Sequence, residues 1–146
     1  MRVRSIAAIA LFGSLVLPAH ADSLADGVAA MPTAVEDVRV VGTFEAGGKS
    51  GSYRVVIARS TAEPPTARLF VQRLVKGADG TETVERSVEI KELLEMKRDI
   101  NDYAAEPDEN GLSLFVEFAD SNTEGGETWE LFMNRDSSYT FGPASN

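Results

Sequence analysis

Ala67 to Ile90 reads ARLFVQRLVK, then GADG, then TETVERSVEI, and its two periods decide the fold. Leu69, Val71 and Val75 fall on one side of a period-two pattern, with Phe70 and Leu74 on the other. A strand that is apolar on both sides is buried on both sides, so Ala67–Val75 reads as a central strand. Gly77-Ala78-Asp79-Gly80 then has the composition of a tight hairpin turn. After it, Val84, Val88 and Ile90 alternate with Glu85, Ser87 and Glu89. Arg86 interrupts the apolar set and places this fourth strand near a sheet edge.

The same period extends outward. Residues 35–44 alternate Val38, Val40 and Phe44 against Arg39 and Thr43, a half-buried strand. Gly47-Gly48-Lys49-Ser50-Gly51 is a turn, and Ser52–Arg59 follows as a strand with Tyr53, Val55 and Ile57 on one face. Glu63-Pro64-Pro65-Thr66 breaks the pattern, because proline cannot donate to a ladder. Between Lys91 and Ala105 the signal is mixed. Leu93, Met96, Ile100 and Tyr103 recur at helical spacing, while Glu95 and Asp99 repel and Asn101 and Asp102 form helix poorly. The balance predicts a short helix over 91–97 and then an extended piece ending before Pro107. Strands follow over 112–119, with Leu114, Val116 and Phe118 inward, over 128–134, with Trp129, Leu131 and Met133 inward, and over 138–141. About seven strands at this spacing predict an all-β domain over 35–142, an antiparallel β-sandwich or small barrel.

Ahead of that domain, Arg2 and Arg4 precede the apolar run Ile6–Leu17 and the small-residue site Pro18-Ala19-His20-Ala21. This is the order of a secretory signal peptide, 1–21, cut after Ala21. The run is too short to span a bilayer, so no membrane anchor is expected. Residues 22–34 are small and polar and read as a flexible leader. The expected location is periplasmic or secreted. Cleavage would remove His20, the one histidine, and the chain has no cysteine. The mature domain would then lack imidazole and thiol, which excludes Ser-His-Asp and Cys-His catalysis, zinc and haem ligation, and disulfides.

Removing residues 1–21 of 146 leaves 125, enough for one domain that buries roughly 65–70% of its unfolded surface. The formal charge goes from −9 to −11, because the segment removes two arginines and no acid. Such a surface repels phosphate backbones and anionic lipid, so nucleic acid is not an expected partner and a cationic protein is.

Two short motifs carry binding chemistry. Glu106, Asp108, Asn110, Gly111 and Glu117 occupy positions 1, 3, 5, 6 and 12 of a calcium-loop spacing, in which hard oxygen ligands surround the ion and glycine permits the turn. Calcium is therefore the one ion this sequence puts forward, although Glu106 replaces the usual aspartate and no second loop accompanies it. Ser50-Gly51-Ser52-Tyr53 places hydroxyls on a turn entering a strand. It resembles the Ser-Gly-x-Tyr element of small secreted proteins that inhibit lysozymes. The resemblance implies a protruding loop whose Ser50, Ser52 and Tyr53 enter a partner's cleft.

Three longer blocks, Gly51–Val56, Arg68–Leu74 and Arg86–Leu93, together resemble a family of small secreted proteobacterial β-proteins without assigned activity. That likeness implies a secreted β-domain and no catalytic residue. Carboxylate-based hydrolysis is the enzymatic alternative, with Glu117 and Glu130 as a long-range pair. Glu85 and Glu89 are about 13 Å apart by strand rise, too far for such a pair. Trp129 and Tyr139 are the candidate carbohydrate platform. The reading that emerges is a non-catalytic binding domain, inhibitor-like, for a cationic envelope protein.

Overall fold

A computed structural model describes residues 23–119 and 127–145; residues 1–21, expected from sequence to be a signal peptide, lie outside them. The chain divides between Met31 and Pro32. On the N-terminal side the described residues hold one helix, α1 (Ser23–Ala29). The leader expected to lack regular structure is thus helical over seven residues, where Leu24, Ala25 and Ala29 are strong helix formers.

The second unit is an all-β sandwich. Sheet A is the meander β1 (Val35–Ala46), β2 (Lys49–Arg59), β3 (Ala67–Lys76) and β4 (Glu82–Glu89). Helix α2 (Lys91–Met96) then leads to sheet B, the meander β5 (Ile100–Pro107), β6 (Gly111–Phe118), β7 (Thr128–Asn134) and β8 (Tyr139–Pro143). All neighbouring strands run antiparallel, and the two four-stranded sheets stay open, so the barrel alternative is not the one realised. The extended piece after α2 is a full strand, which raises the count among the described residues from about seven to eight. As expected, β3 is central and β4, which carries Arg86, is an edge.

The core is the set of side chains that the two sheets turn toward each other. Tyr53, Val55, Ile57, Leu69 and Val71 come from sheet A, and Leu112, Leu114, Val116, Leu131 and Met133 from sheet B, all buried. From α2, Leu93 joins this cluster and is fully buried. The helix ends at Lys97, whose φ of 53° is left-handed and whose N–H closes on Leu93 O at 3.2 Å.

Two bulges redirect faces that simple alternation assigned to the core. In β1 the register slips between Val40 and Gly42, so Val41 packs inward while Val38 and Val40 face outward, 41% and 63% exposed. In β4 the slip falls at Glu85, and Val84 turns to the outer face opposite Leu74, 48% exposed. One extra residue inverts every side chain beyond it, which is why these valines leave the predicted apolar side.

Where β1 meets β5, a seam closes one edge of the sandwich. A Cβ on Gly42 would come within 2.4 Å of Pro107 Cγ, and the Arg39 guanidinium lies 4.5 Å from the centre of the Tyr103 ring. Arg59 ties β2 to the start of β5, donating to Asp99 Oδ1 at 2.7 Å, to Glu36 Oε2 at 2.5 Å and to Ile100 O at 2.5 Å. The Tyr103 hydroxyl is buried without a well-formed hydrogen bond. Burial first, and then the nearby Asp37 carboxylate, push its pKa up to about 12, against the opposing pull of Arg39.

Two outcomes follow from this packing. A Cβ at position 51 would lie 1.9 Å from the backbone oxygen of Leu74, so Gly51→Ala is expected to cost about 3 kcal/mol, a drop in Tm of roughly 10 °C, in a thermal melt. Because Tyr103 in the folded state holds its proton above its ordinary pKa of 10, the unfolded chain ionises first as pH rises. Its contribution to stability is complete below pH 10 and declines from there to about 12. Tyr103→Phe removes that part of the alkaline loss, measured by urea unfolding at pH 9 and pH 11, and changes stability at neutral pH by no more than about 1 kcal/mol.

Candidate functional site

The hairpin that was to present Ser50-Gly51-Ser52-Tyr53 turns earlier than expected. Gly47 and Gly48 have φ of 59° and 73°, so the turn is those two residues and Lys49 already pairs with Ala46. The tetrapeptide therefore lies within β2. Gly51 is buried under Leu74, and Ser52, 3% exposed, donates to Glu82 Oε2 at 2.9 Å. Tyr53, 2% exposed, packs 5.3 Å from the Phe44 ring. Ser50 is exposed, but the other three residues are not a protruding loop. The expectation of a cleft-entering element is corrected by this burial.

The calcium spacing is likewise drawn out along a hairpin. Asp108 Oδ1 accepts from the N–H groups of Asn110 at 2.6 Å and Gly111 at 2.8 Å, an Asx turn joining β5 to β6. Glu106 stands on β5 opposite Ser113, and Glu117 lies six residues along β6, opposite Asp102 and Thr128. By strand rise, Glu117 is about 20 Å from the turn. The structure does not bring Glu106, Asp108, Asn110 and Glu117 around one point. Among the described residues no three His, Cys, Asp or Glu side chains converge on a metal position. Gly111 is glycine for another reason: a Cβ there would lie 1.9 Å from Met133 O.

Other candidates are absorbed by packing and ion pairing. Trp129 turns inward between Phe118 and Phe141, at 6.0 and 5.1 Å, and its Nε1–H donates to Glu127 at 2.7 Å. The Tyr139 hydroxyl donates to Glu92 and accepts from the Lys91 N–H. Neither ring forms a platform. Glu85 is held below the usual carboxylate range by its bond from Lys49, and Glu89 by the fork of Arg68. A general acid needs the opposite shift.

What remains is the outer face of sheet B, which sequence reading missed. Alternation along the four strands turns Asp102, Ala104 and Glu106 outward from β5, Ser113, Phe115 and Glu117 from β6, Thr128, Glu130 and Phe132 from β7, and Thr140 and Gly142 from β8. Every acidic residue in these strands, Asp102, Glu106, Glu117 and Glu130, is on this face, and the four strands contain no lysine or arginine. The strands of sheet A are mixed, with the bases Arg39, Lys49, Arg54, Arg59, Arg68, Arg73, Lys76 and Arg86 beside the acids Glu36, Asp37, Glu45, Glu82, Glu85 and Glu89.

Phe115 and Phe132 lie half-buried among the carboxylates, opposite Glu130 and Ser113 respectively. Glu130 accepts one long bond from Ser113 Oγ at 3.5 Å. Glu117 and Glu130 are diagonal neighbours, about 7–8 Å apart by sheet geometry. Two half-buried aromatics ringed by carboxylates can attract, and stack upon, a cationic group. The signal was present in sequence: from Ile100 to the C-terminus, Arg135 is the one basic residue.

Comparison with protein-family models, with curated proteins and with solved structures returned no match. No helix among the described residues is long and apolar enough to cross a membrane.

The hairpin geometry gives a direct expectation for calcium. A working loop site would add about 2.7 kcal/mol at 100 times its Kd. With Glu117 remote from Asp108, millimolar calcium is expected to leave the thermal midpoint unchanged.

Proposed function

We propose that this is an exported, non-catalytic binding domain that holds a cationic protein, such as an envelope enzyme, against the outer face of sheet B. The observation that carries the reading is the separation of charge: four carboxylates and no base in the strands of that sheet, around Phe115 and Phe132. Export rests on the order of charges, apolar run and small residues in 1–21. Long-range attraction to a basic partner raises the rate of encounter, and the aromatic centre supplies contact area once water is displaced.

The alternatives are less well supported. Burial of Gly51, Ser52 and Tyr53 takes the inhibitor-like tetrapeptide out of contention as the contact element, although a lysozyme remains a suitable cationic probe. For hydrolysis, Glu117 and Glu130 share a face that is turned to solvent, where charges are screened by water.

Binding of a cationic lysozyme panel, measured by titration calorimetry, tests the proposal. Replacing Glu106, Glu117 and Glu130 together by Gln removes three rim charges, each contributing about 0.2–1 kcal/mol, and is expected to weaken binding about 10-fold. Replacing Glu45, Glu63 and Glu95 by Gln changes the net charge equally and is expected to leave affinity within about 2-fold. Equal losses in the two triple variants would reduce the effect to net charge and contradict a defined face.

A further inference from the structure

The aromatic side chains of this protein divide by whether an arginine accompanies them. Arg39 lies over Tyr103 at 4.5 Å, Arg68 over Phe70 at 5.2 Å, Arg73 over Phe44 at 4.2 Å and Arg98 over Phe118 at 3.9 Å. On the outer face of sheet B, neither Phe115 nor Phe132 has such a companion among the described residues. Beside it is a depression of about 420 Å³ on the outer face of β7 and β8, lined by Glu130, Phe132, Thr140, Phe141, Gly142 and Pro143.

Its floor is open because of one residue. Gly142 pairs with Glu130, and a Cβ built there would meet no atom within 4 Å. Its φ lies outside the left-handed region, so neither backbone conformation nor a close neighbour requires glycine. Glycine here contrasts with Gly51 and Gly111, which are packed against backbone. A side chain at 142 would stand beside Glu130 and occupy part of the depression that Phe132 and Thr140 line next to it.

We infer that this trough takes an arginine side chain from an extended segment of the cationic partner, stacked on Phe132 and paired with Glu130. The inference rests on the partner-binding reading of sheet B and names the position where that partner is gripped. Arginine fits better than lysine because its planar guanidinium both stacks and donates a parallel pair of hydrogen bonds to a carboxylate. The charge of the face selects against neutral and anionic occupants.

The test uses the full domain and an eight-residue peptide of alternating arginine and serine, titrated calorimetrically at low salt. Gly142→Val is expected to fold with an unchanged melting temperature and to lower affinity about 10-fold, and Phe132→Leu about 5-fold. Replacing arginine by lysine in the peptide should weaken binding to the wild type about 5-fold and make little difference to Gly142→Val. If Gly142→Val lowers the melting temperature, Gly142→Ala and Phe132→Leu carry the same comparison. Wild-type affinity in Gly142→Val and Phe132→Leu overturns the trough. If the Glu106, Glu117 and Glu130 triple variant still loses affinity in that case, the broader face survives; if it too binds like wild type, both fall. Tighter binding of a neutral oligosaccharide than of the peptide would also overturn the inference.

Discussion

With no cysteine to cross-link them, the two sheets are held together by the interlocking of their inward side chains. Tyr53, Val55 and Leu69 meet Leu114, Val116 and Leu131 across the interior, and each buried aliphatic contributes on the order of 1.5–3 kcal/mol. That demand fixes which side of every strand faces inward. The opposite side is then assigned by the pleat without further choice. The outer face of sheet B is therefore a consequence of the core: once Leu112, Leu114 and Val116 are inside, Ser113, Phe115 and Glu117 are outside.

Charge is distributed according to the same logic. Basic residues are concentrated in sheet A and at the seams, where Arg59 reaches Asp99 and Glu36, Arg68 reaches Glu89 and Arg98 reaches Glu127. These pairs occupy much of the positive charge in local contacts. Among the described residues, the carboxylates of sheet B have no ion-pair partner apart from Asp102, which lies 3.6 Å from Arg39. Within the strands of sheet B, acid without base thus falls on one surface, the outer face.

Alternation made the strands, the central place of β3 and the edge place of β4 legible in the sequence. It failed where one residue was added to a ladder. The bulges at Val41 and Glu85 sent Val38, Val40 and Val84 outward, and nothing in the local composition announces them. The short motifs failed for a related reason. Ser50-Gly51-Ser52-Tyr53 reads as a turn entering a strand, and the Glu106–Glu117 spacing as a calcium loop even though its second half, from Leu112, reads as a strand; the actual turns are only Gly47-Gly48 and Asp108–Asn110, so most of each motif runs along a strand. The outward residues of sheet B were readable in principle, from the near absence of basic residues after Ile100. Recognising them as one surface required knowing that β5 to β8 pair in order.

Amide chemical-shift mapping by NMR, with the isotope-labelled domain titrated with a cationic lysozyme, tests the account at its centre. The largest shifts should fall on outward residues of β6 and β7, namely Ser113, Phe115, Glu117, Glu130 and Phe132. Shifts confined to sheet A, or to Ser50–Tyr53, with sheet B unmoved would contradict it.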